Sequence, residues 1–177
     1  METAHSLIHN GFLKVHSTTV GGKTYEYTEV GPTVTTLLVE PQDNPLNDII
    51  TLGIQYRVGA AAGALKEDAI YTLASGYVDA GETATDAAHR EAEEEFGARG
   101  HVFKLGANYN NPGSSTQITE IFWMDVKEWS EPTDESEGIK SIKLTLGQLL
   151  HMIKSPFVVM SMPLSQAVLL YSAWKGV

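Results

Sequence analysis

Apolar and polar residues alternate with different periods along this chain, and the changes of period divide it into strands and helices. Residues 11–20 and 24–30 read as strands, and Gly21-Gly22 between them is a hairpin turn signal, so the two form an antiparallel pair. Residues 33–40 (TVTTLLVE) and 49–57 (IITLGIQYR) are β-rich runs expected as core strands, separated by PQDNPLND, whose Pro, Asn and Asp content marks a loop. The stretch 60–68 (AAAGALKED) reads as a loop before extended structure resumes at 70–75. Residues 83–96 carry the clearest helical period. Thr83 or Thr85 is the N-cap, Asp86 sits in the first turn and Gly97 is the stop. Ala84, Ala88, Ala92 and Phe96 recur every four residues, a narrow stripe of small side chains that requires close packing against a sheet. Residues 102–105 and 118–126 are expected as strands around the turn-rich loop 109–117 (YNNPGSSTQ), and the acidic loop 129–138 (WSEPTDESEG) follows. A strand at 139–144 and helices at 146–154 and 163–174, the last with a proline in its first turn, complete the pattern.

Composition narrows the classes of function. At 177 residues and 42% hydrophobic, the chain suits one globular domain, 33–177, preceded by a strand extension, 1–32. With no cysteine, disulfides, thiolate zinc sites and cysteine nucleophiles are excluded, so any metal must sit on oxygen or histidine ligands. The six histidines are scattered and lack HExxH spacing, which argues against zinc. A formal charge of −10 with only 12 Lys and Arg argues against nucleic acid as a partner, since that affinity comes mainly from neutralising phosphates. No leader pattern and no run of 18 apolar residues occurs, and the expectation is a cytoplasmic protein without a membrane partner.

The chemistry is concentrated in residues 76–98, GYVDAGETATDAAHREAEEEFGA. On a helix Glu91, Glu94 and Glu95 stand at i, i+3 and i+4, which stacks three carboxylates on one face. Most glutamate runs are simply solvated helix faces. The spacing around this one is different: Gly76, Glu82, Arg90, Glu91, Glu94, Glu95 and Gly97 are seven specified positions, which at ~7% usage each match by chance at about one start in 10⁸. An oxygen-only cluster of this kind suits a hard divalent cation such as Mg²⁺, which offsets the repulsion and bridges to substrate phosphates. Glu93 points elsewhere on the wheel, and Glu82 and Arg90, of opposite sign, are expected to pin the preceding loop to the helix.

These residues resemble the signature of the Nudix hydrolase family, G-x5-E-x7-R-E-U-x-E-E-x-G-U with U bulky and aliphatic. Every Gly, Glu and Arg is met, while the two U positions hold the smaller Ala92 and Ala98. The resemblance implies an α/β/α sandwich with a mixed β-sheet, and Mg²⁺ or Mn²⁺, two or more ions per site, bound by Glu91, Glu94 and Glu95 with the backbone carbonyl of Ser75. Glu95 would then also serve catalysis.

Residues outside the box resemble the ADP-ribose pyrophosphatase branch and its nucleotide-sugar relatives. Gln55-Tyr56-Arg57 is similar to its Q-x-R segment, with Arg57 implied on substrate phosphate or nucleotide, and the loop holding Pro112, Gly113, Ser115 and Gln117 is similar to the one that reaches substrate. The acidic run 134–140 is similar to the loop that supplies the general base, implying Glu135 as base and Glu137 as a further metal ligand. Three positions depart from the branch: Thr72 and Ala74 replace a glutamate and a proline before the box, and Gln117 replaces a glutamate that meets the second ribose. The implied reaction is hydrolysis of ADP-ribose to AMP and ribose 5-phosphate. Other nucleotide sugars or dinucleotides (GDP-mannose, ADP-glucose, NADH) are the alternative substrates, and a non-catalytic nucleotide sensor is the alternative of another class, against which the intact box counts. The N-terminal strand pair resembles the part that this branch exchanges between subunits. This implies a homodimer, with Phe12, Leu13, Tyr25 and Tyr27 fitting the interface.

Overall fold

The computed structural model describes residues 5–11, 13–62, 69–134, 138–155 and 158–177. Two sheets organise them. The smaller is an antiparallel ribbon of β1 (His5–Asn10), β2 (Lys14–Val20) and β3 (Lys23–Glu29). Gly21 and Gly22 both have positive φ, 59° and 80°, which is what a two-residue hairpin turn demands and what L-residues rarely adopt. The ribbon meets the rest of the protein through backbone bonds to the loop after β8: Thr28 N–H donates to Ser114 O at 2.9 Å, and Thr116 N–H to Thr28 O at 3.0 Å.

The larger sheet has the order β10-β5-β4-β9-β8, where β4 is Thr33–Glu40, β5 Ile49–Tyr56, β8 Ala98–Tyr109, β9 Ile118–Trp129 and β10 Lys140–Thr145. Pairing is antiparallel except between β4 and β9, which makes the sheet mixed. Neighbours β4 and β5 pair only over Leu38–Glu40 and Ile49–Thr51, then splay apart. Into the gap come β6 (Ala69–Thr72), which pairs with the far half of β5, and β7 (Ala74–Tyr77), which pairs with the near half of β4. Leu73, buried between the two strands, is where one segment changes partners. The splay sets Ser75 and Gly76 beside the start of β4.

Helices cover both faces. On β4, Leu37 and Val39 join the cluster under α3 (Leu146–Ile153) and α4 (Met162–Lys175), while Val34 and Leu38 pack toward α2 (Ala84–Phe96). The fold is therefore an α/β/α sandwich about a mixed sheet, as the sequence implies. Thr83, not Thr85, caps α2, in a reciprocal capping box with Asp86, and Gly97 ends it at φ 66°. The predicted alanine stripe is real but wider, because Ala87, Glu91 and Glu95 are buried with it. At the far end Tyr171 of α4 donates its hydroxyl to the fully buried Asp48 at 2.7 Å, and burial, reinforced by that carboxylate, pushes the phenol up.

Three expectations need correction. Residues 60–62 are the end of a short helix, α1 (Val58–Ala62), rather than loop, since alanine is the best helix former. Residues 5–10 form a strand that the pattern did not announce, and β8 and β9 each reach 12 residues. As an edge strand β8 pairs only with β9, with bulges beside Gly100 and Gly106, so its exposed polar positions hide its length from a hydrophobicity pattern.

Candidate active site

The loop between β7 and α2 is held by one guanidinium. Arg90 Nε and Nη2 donate to the two carboxylate oxygens of Glu82, each at 3.0 Å, a fork that fixes both side chains. The Nη2 also donates to Tyr77 O at 2.9 Å, and Asp79 N–H donates to Glu82 at 3.0 Å, so strand, loop and helix are tied at one point. The sequence assigns this pair a pinning role, and the geometry adds a second: Arg90 Nη1 donates to Glu91 at 2.6 Å and to Glu94 at 3.1 Å. Hydrogen bonding to Glu82 is the largest cause that raises the Arg90 pKa, and the same bond lowers that of Glu82. Glu93 leaves the cluster to pair with Arg99.

Two of the box carboxylates are buried against β7. Glu95, 6% exposed, accepts the Ser75 N–H at 2.9 Å. Glu91, 9% exposed, fills the space in front of Gly76, and a methyl group on Gly76 would collide with its carboxylate. Glycine is required here by close approach, with no demand on φ. Glu94 is half-exposed, and its backbone carbonyl accepts the N–H groups of Thr133 and Asp134, each at 3.0 Å. The start of the acidic loop is thereby anchored to the box helix. Glu135 and Glu137 themselves lie outside the described residues.

On the other side of Ser75 and Gly76 opens a cleft of about 240 Å³. Arg57 from the end of β5, Ser75 and Gly76 from β7, and Gln117 from the start of β9 meet there, though they lie far apart in sequence. Thr33, Thr35, Asn110 and Thr119 also line it, and sequence reasoning missed all four. The available signal was the TVTT run of β4, which sets hydroxyls at Thr33 and Thr35 on one face of the strand. Hydroxyls meet across strands: Thr33 and Thr119 at 2.7 Å, Thr35 and Ser75 at 2.8 Å.

Gly113 and Ser115 do not line this cleft. Ser115 borders a shallow hollow against Val15, Tyr27 and Thr28 of the ribbon, and its Oγ accepts the Gln117 N–H at 3.2 Å.

Whether the box fits a divalent cation can be tested on its donors. Among the described residues no three acidic or histidine side chains converge tightly enough to enclose an ion unaided. The donors present are nevertheless all oxygen, two carboxylates are buried, and the missing side chain of Gly76 lets the Glu91 carboxylate lie against the β7 backbone. Such a set fits Mg²⁺, which binds through one or two carboxylates and completes its shell with waters and substrate phosphates.

The NUDIX domain model matches residues 61–156, over half of the chain, and the chain belongs to the Nudix family. The family's hydrolases generally use divalent metal ions such as Mg²⁺. Among solved structures, one described as an ADP compounds hydrolase superposes with a TM-score of 0.74 over 99% of this chain and 96% of that one, at 21% identity, a likeness of fold. A comparison with curated proteins finds no match. Among the described residues no helix is long and apolar enough to cross a membrane.

Proposed function

We propose that this Nudix hydrolase splits the pyrophosphate bond of ADP-ribose to give AMP and ribose 5-phosphate. The observation that carries the reading is the meeting of Arg57, Ser75 and Gln117, from three separate segments, in one cleft whose Ser75 and Gly76 also touch the buried carboxylates of Glu95 and Glu91. In support, the solved structure of like fold is described as acting on ADP compounds.

In this reading Glu91, Glu94 and Glu95, with the Ser75 carbonyl, hold Mg²⁺ or Mn²⁺, two or more ions, and Glu137 assists. Such ions, when bound, neutralise the pyrophosphate and lower the pKa of the attacking water. Among the described residues lining the cleft Arg57 is the only charged side chain, and it binds a phosphate that an acidic protein would otherwise repel. Arg90 keeps Glu91 and Glu94 in place from behind. Glu135 takes the proton of the attacking water, whose oxygen bonds to one phosphorus as the bridging P–O bond breaks and the other phosphate leaves with its electron pair. Anchorage of Thr133 and Asp134 on Glu94 supports this role, because it starts the loop at the metal-binding helix. Ser115 positions Gln117, with Gly113 shaping the same loop.

The test is a panel of nucleoside diphosphate derivatives incubated with Mg²⁺, with the phosphate-containing products identified. AMP and ribose 5-phosphate from ADP-ribose are expected. Another nucleotide sugar or a dinucleotide turned over faster would replace the substrate, and turnover of none would leave the sensor reading. Glu135→Gln is expected to lower kcat by about 10²-fold or more with little change in KM; under tenfold, the base lies elsewhere.

The exposed Leu7, Ile8, Leu13, Val20 and Tyr25 of the ribbon support a homodimer built on it. Light scattering of the purified protein at micromolar concentration should give about twice the 19.2 kDa chain mass, and a monomer would refute this.

A further inference from the structure

We infer that Thr35 is a positioning residue: through the Ser75 hydroxyl, and together with Thr72, it clamps the backbone at the Leu73 crossover and so fixes the Ser75 carbonyl. This rests on the reading above, in which that carbonyl helps hold the metal.

The need for a clamp comes from the splay of the sheet. Pairing with β5 stops at Thr72 and pairing with β4 starts at Ala74, so Leu73 belongs to neither register. Leu73 is buried, and a buried carbonyl outside a ladder must find another donor. Its oxygen accepts two hydroxyls, Thr72 Oγ1 at 3.3 Å and Ser75 Oγ at 3.0 Å, one for each lone pair.

A hydroxyl carries one proton and a carbonyl none, so the direction of each contact is set. Ser75 must donate to Leu73 O. Thr35 Oγ1, 2.8 Å from Ser75 Oγ, must then donate to Ser75. Thr35 is the cross-strand partner of Ser75 and 1% exposed, so the sheet holds this donor in place.

The bond from Ser75 to Leu73 O spans Ala74. Thr72 and Ala74 are the two positions before the box where the chain departs from the branch it resembles, and at 74 a proline is lost. A proline ring would restrict φ there; the hydroxyl bond restrains the same stretch from a side chain. The Ser75 N–H is held separately, by Glu95 at 2.9 Å. With nitrogen and side chain both anchored, the tetrahedral Cα leaves one direction for the carbonyl carbon. The strand that carries it, β7, has only four residues, and such short ladders open easily at their ends.

The experiment compares Thr35→Val, which keeps the shape but removes the proton, with Thr35→Ser, which keeps the hydroxyl, in two readouts without substrate. Mn²⁺ binding is titrated by calorimetry, with Glu95→Gln marking the signal that belongs to the box. Exchange of the Ser75 amide is followed by NMR, and thermal melts confirm folding. Thr35→Val should bind Mn²⁺ about tenfold more weakly, the usual size for a group that orients a ligand, while Thr35→Ser stays within about twofold. In Thr35→Val the Ser75 amide should exchange about tenfold faster while the amides of α4 keep their rates. Undiminished Mn²⁺ affinity in Thr35→Val, equal weakening in Thr35→Ser, or faster exchange spread evenly over the protein would overturn the clamp. Should the unaltered protein bind no Mn²⁺, or Glu95→Gln bind it equally well, the metal reading fails separately and exchange alone decides. A faster Ser75 amide in Thr35→Val but not in Thr35→Ser then supports the clamp, and an unchanged one refutes it.

Discussion

The two regions that meet at β7 are made of opposite materials. Toward α2 lie Glu82, Arg90, Glu91, Glu94 and Glu95, with three carboxylates gathered around one guanidinium and the fourth on the Ser75 N–H. Toward β4 and β9 lie hydroxyls and amides, with Arg57 as the single charge among the described residues lining the cleft. The difference separates two tasks. A charged cluster concentrates field at a point, which suits ions and phosphates but discriminates little among the groups attached to them. Neutral hydroxyls and amides carry little field but set donors and acceptors at fixed places, and such placement distinguishes one substituent from another. Ser75 belongs to both, with its backbone N–H on Glu95 and its hydroxyl on Thr35.

If the division holds, changes on the charged side should fall on kcat and changes on the neutral side on KM. The largest effect is expected for Glu95→Gln, which keeps an oxygen for the Ser75 N–H yet removes the charge: kcat should fall by at least about 10³-fold, with the thermal melt little changed. Near-normal turnover would end the metal assignment. Gly76→Ala comes next. The added methyl displaces the end of a flexible Glu91 side chain rather than backbone, so kcat should fall about 10- to 100-fold while stability changes by under about 1 kcal/mol. A large loss of stability with normal kcat in the folded fraction would make Gly76 a packing residue. Arg57→Ala should raise KM about tenfold and spare kcat, and steady-state kinetics at low salt, where the contact is least screened, is the measurement.

The smallest effect concerns pH. The Glu82 carboxyl is held below its ordinary value chiefly by its hydrogen bond to Arg90, so the folded state favours the ionised form. Its contribution is present above the ordinary carboxylate range near pH ~4.3 and is lost as the pH falls below it. Urea melts from pH 6 to pH 3 should show a smaller acid-side loss in Glu82→Gln than in the unaltered protein. Parallel curves would mean that the pinning contributes nothing measurable to stability.

Legibility differed between these regions for a physical reason. Glu91, Glu94 and Glu95 share one helix, where spacing alone sets which side chains lie on one face, and Thr83 and Gly97 are local cap signals that need no tertiary context. The cleft is assembled from β4, β5, β7, β8 and β9, and no spacing in the chain announces that Thr33 will face Thr119 across 85 intervening residues. Arg57 and Gln117 were found only because their surroundings resemble a family, while Thr33, Asn110 and Thr119 resemble nothing in particular and were missed. Resemblance also implies Ser115 on the substrate, and in the structure its hydroxyl accepts the N–H of Gln117, which does line the cleft. The edge strands β1 and β8 were under-read because solvent on one side permits polar residues that blur the two-residue period.

By itself the sequence determined the box, its helix and the exclusion of thiolate from any metal site, because each of these is read from residue types and local helical spacing. Only the tertiary structure decided that the chain splays β4 from β5, that Ser75 and Gly76 fill the gap, and that Arg57, Asn110, Gln117 and three threonines meet beside them. Those are matters of strand order and register, set by which faces bury best against α2 and α4, and a linear pattern does not encode which strand will become which neighbour.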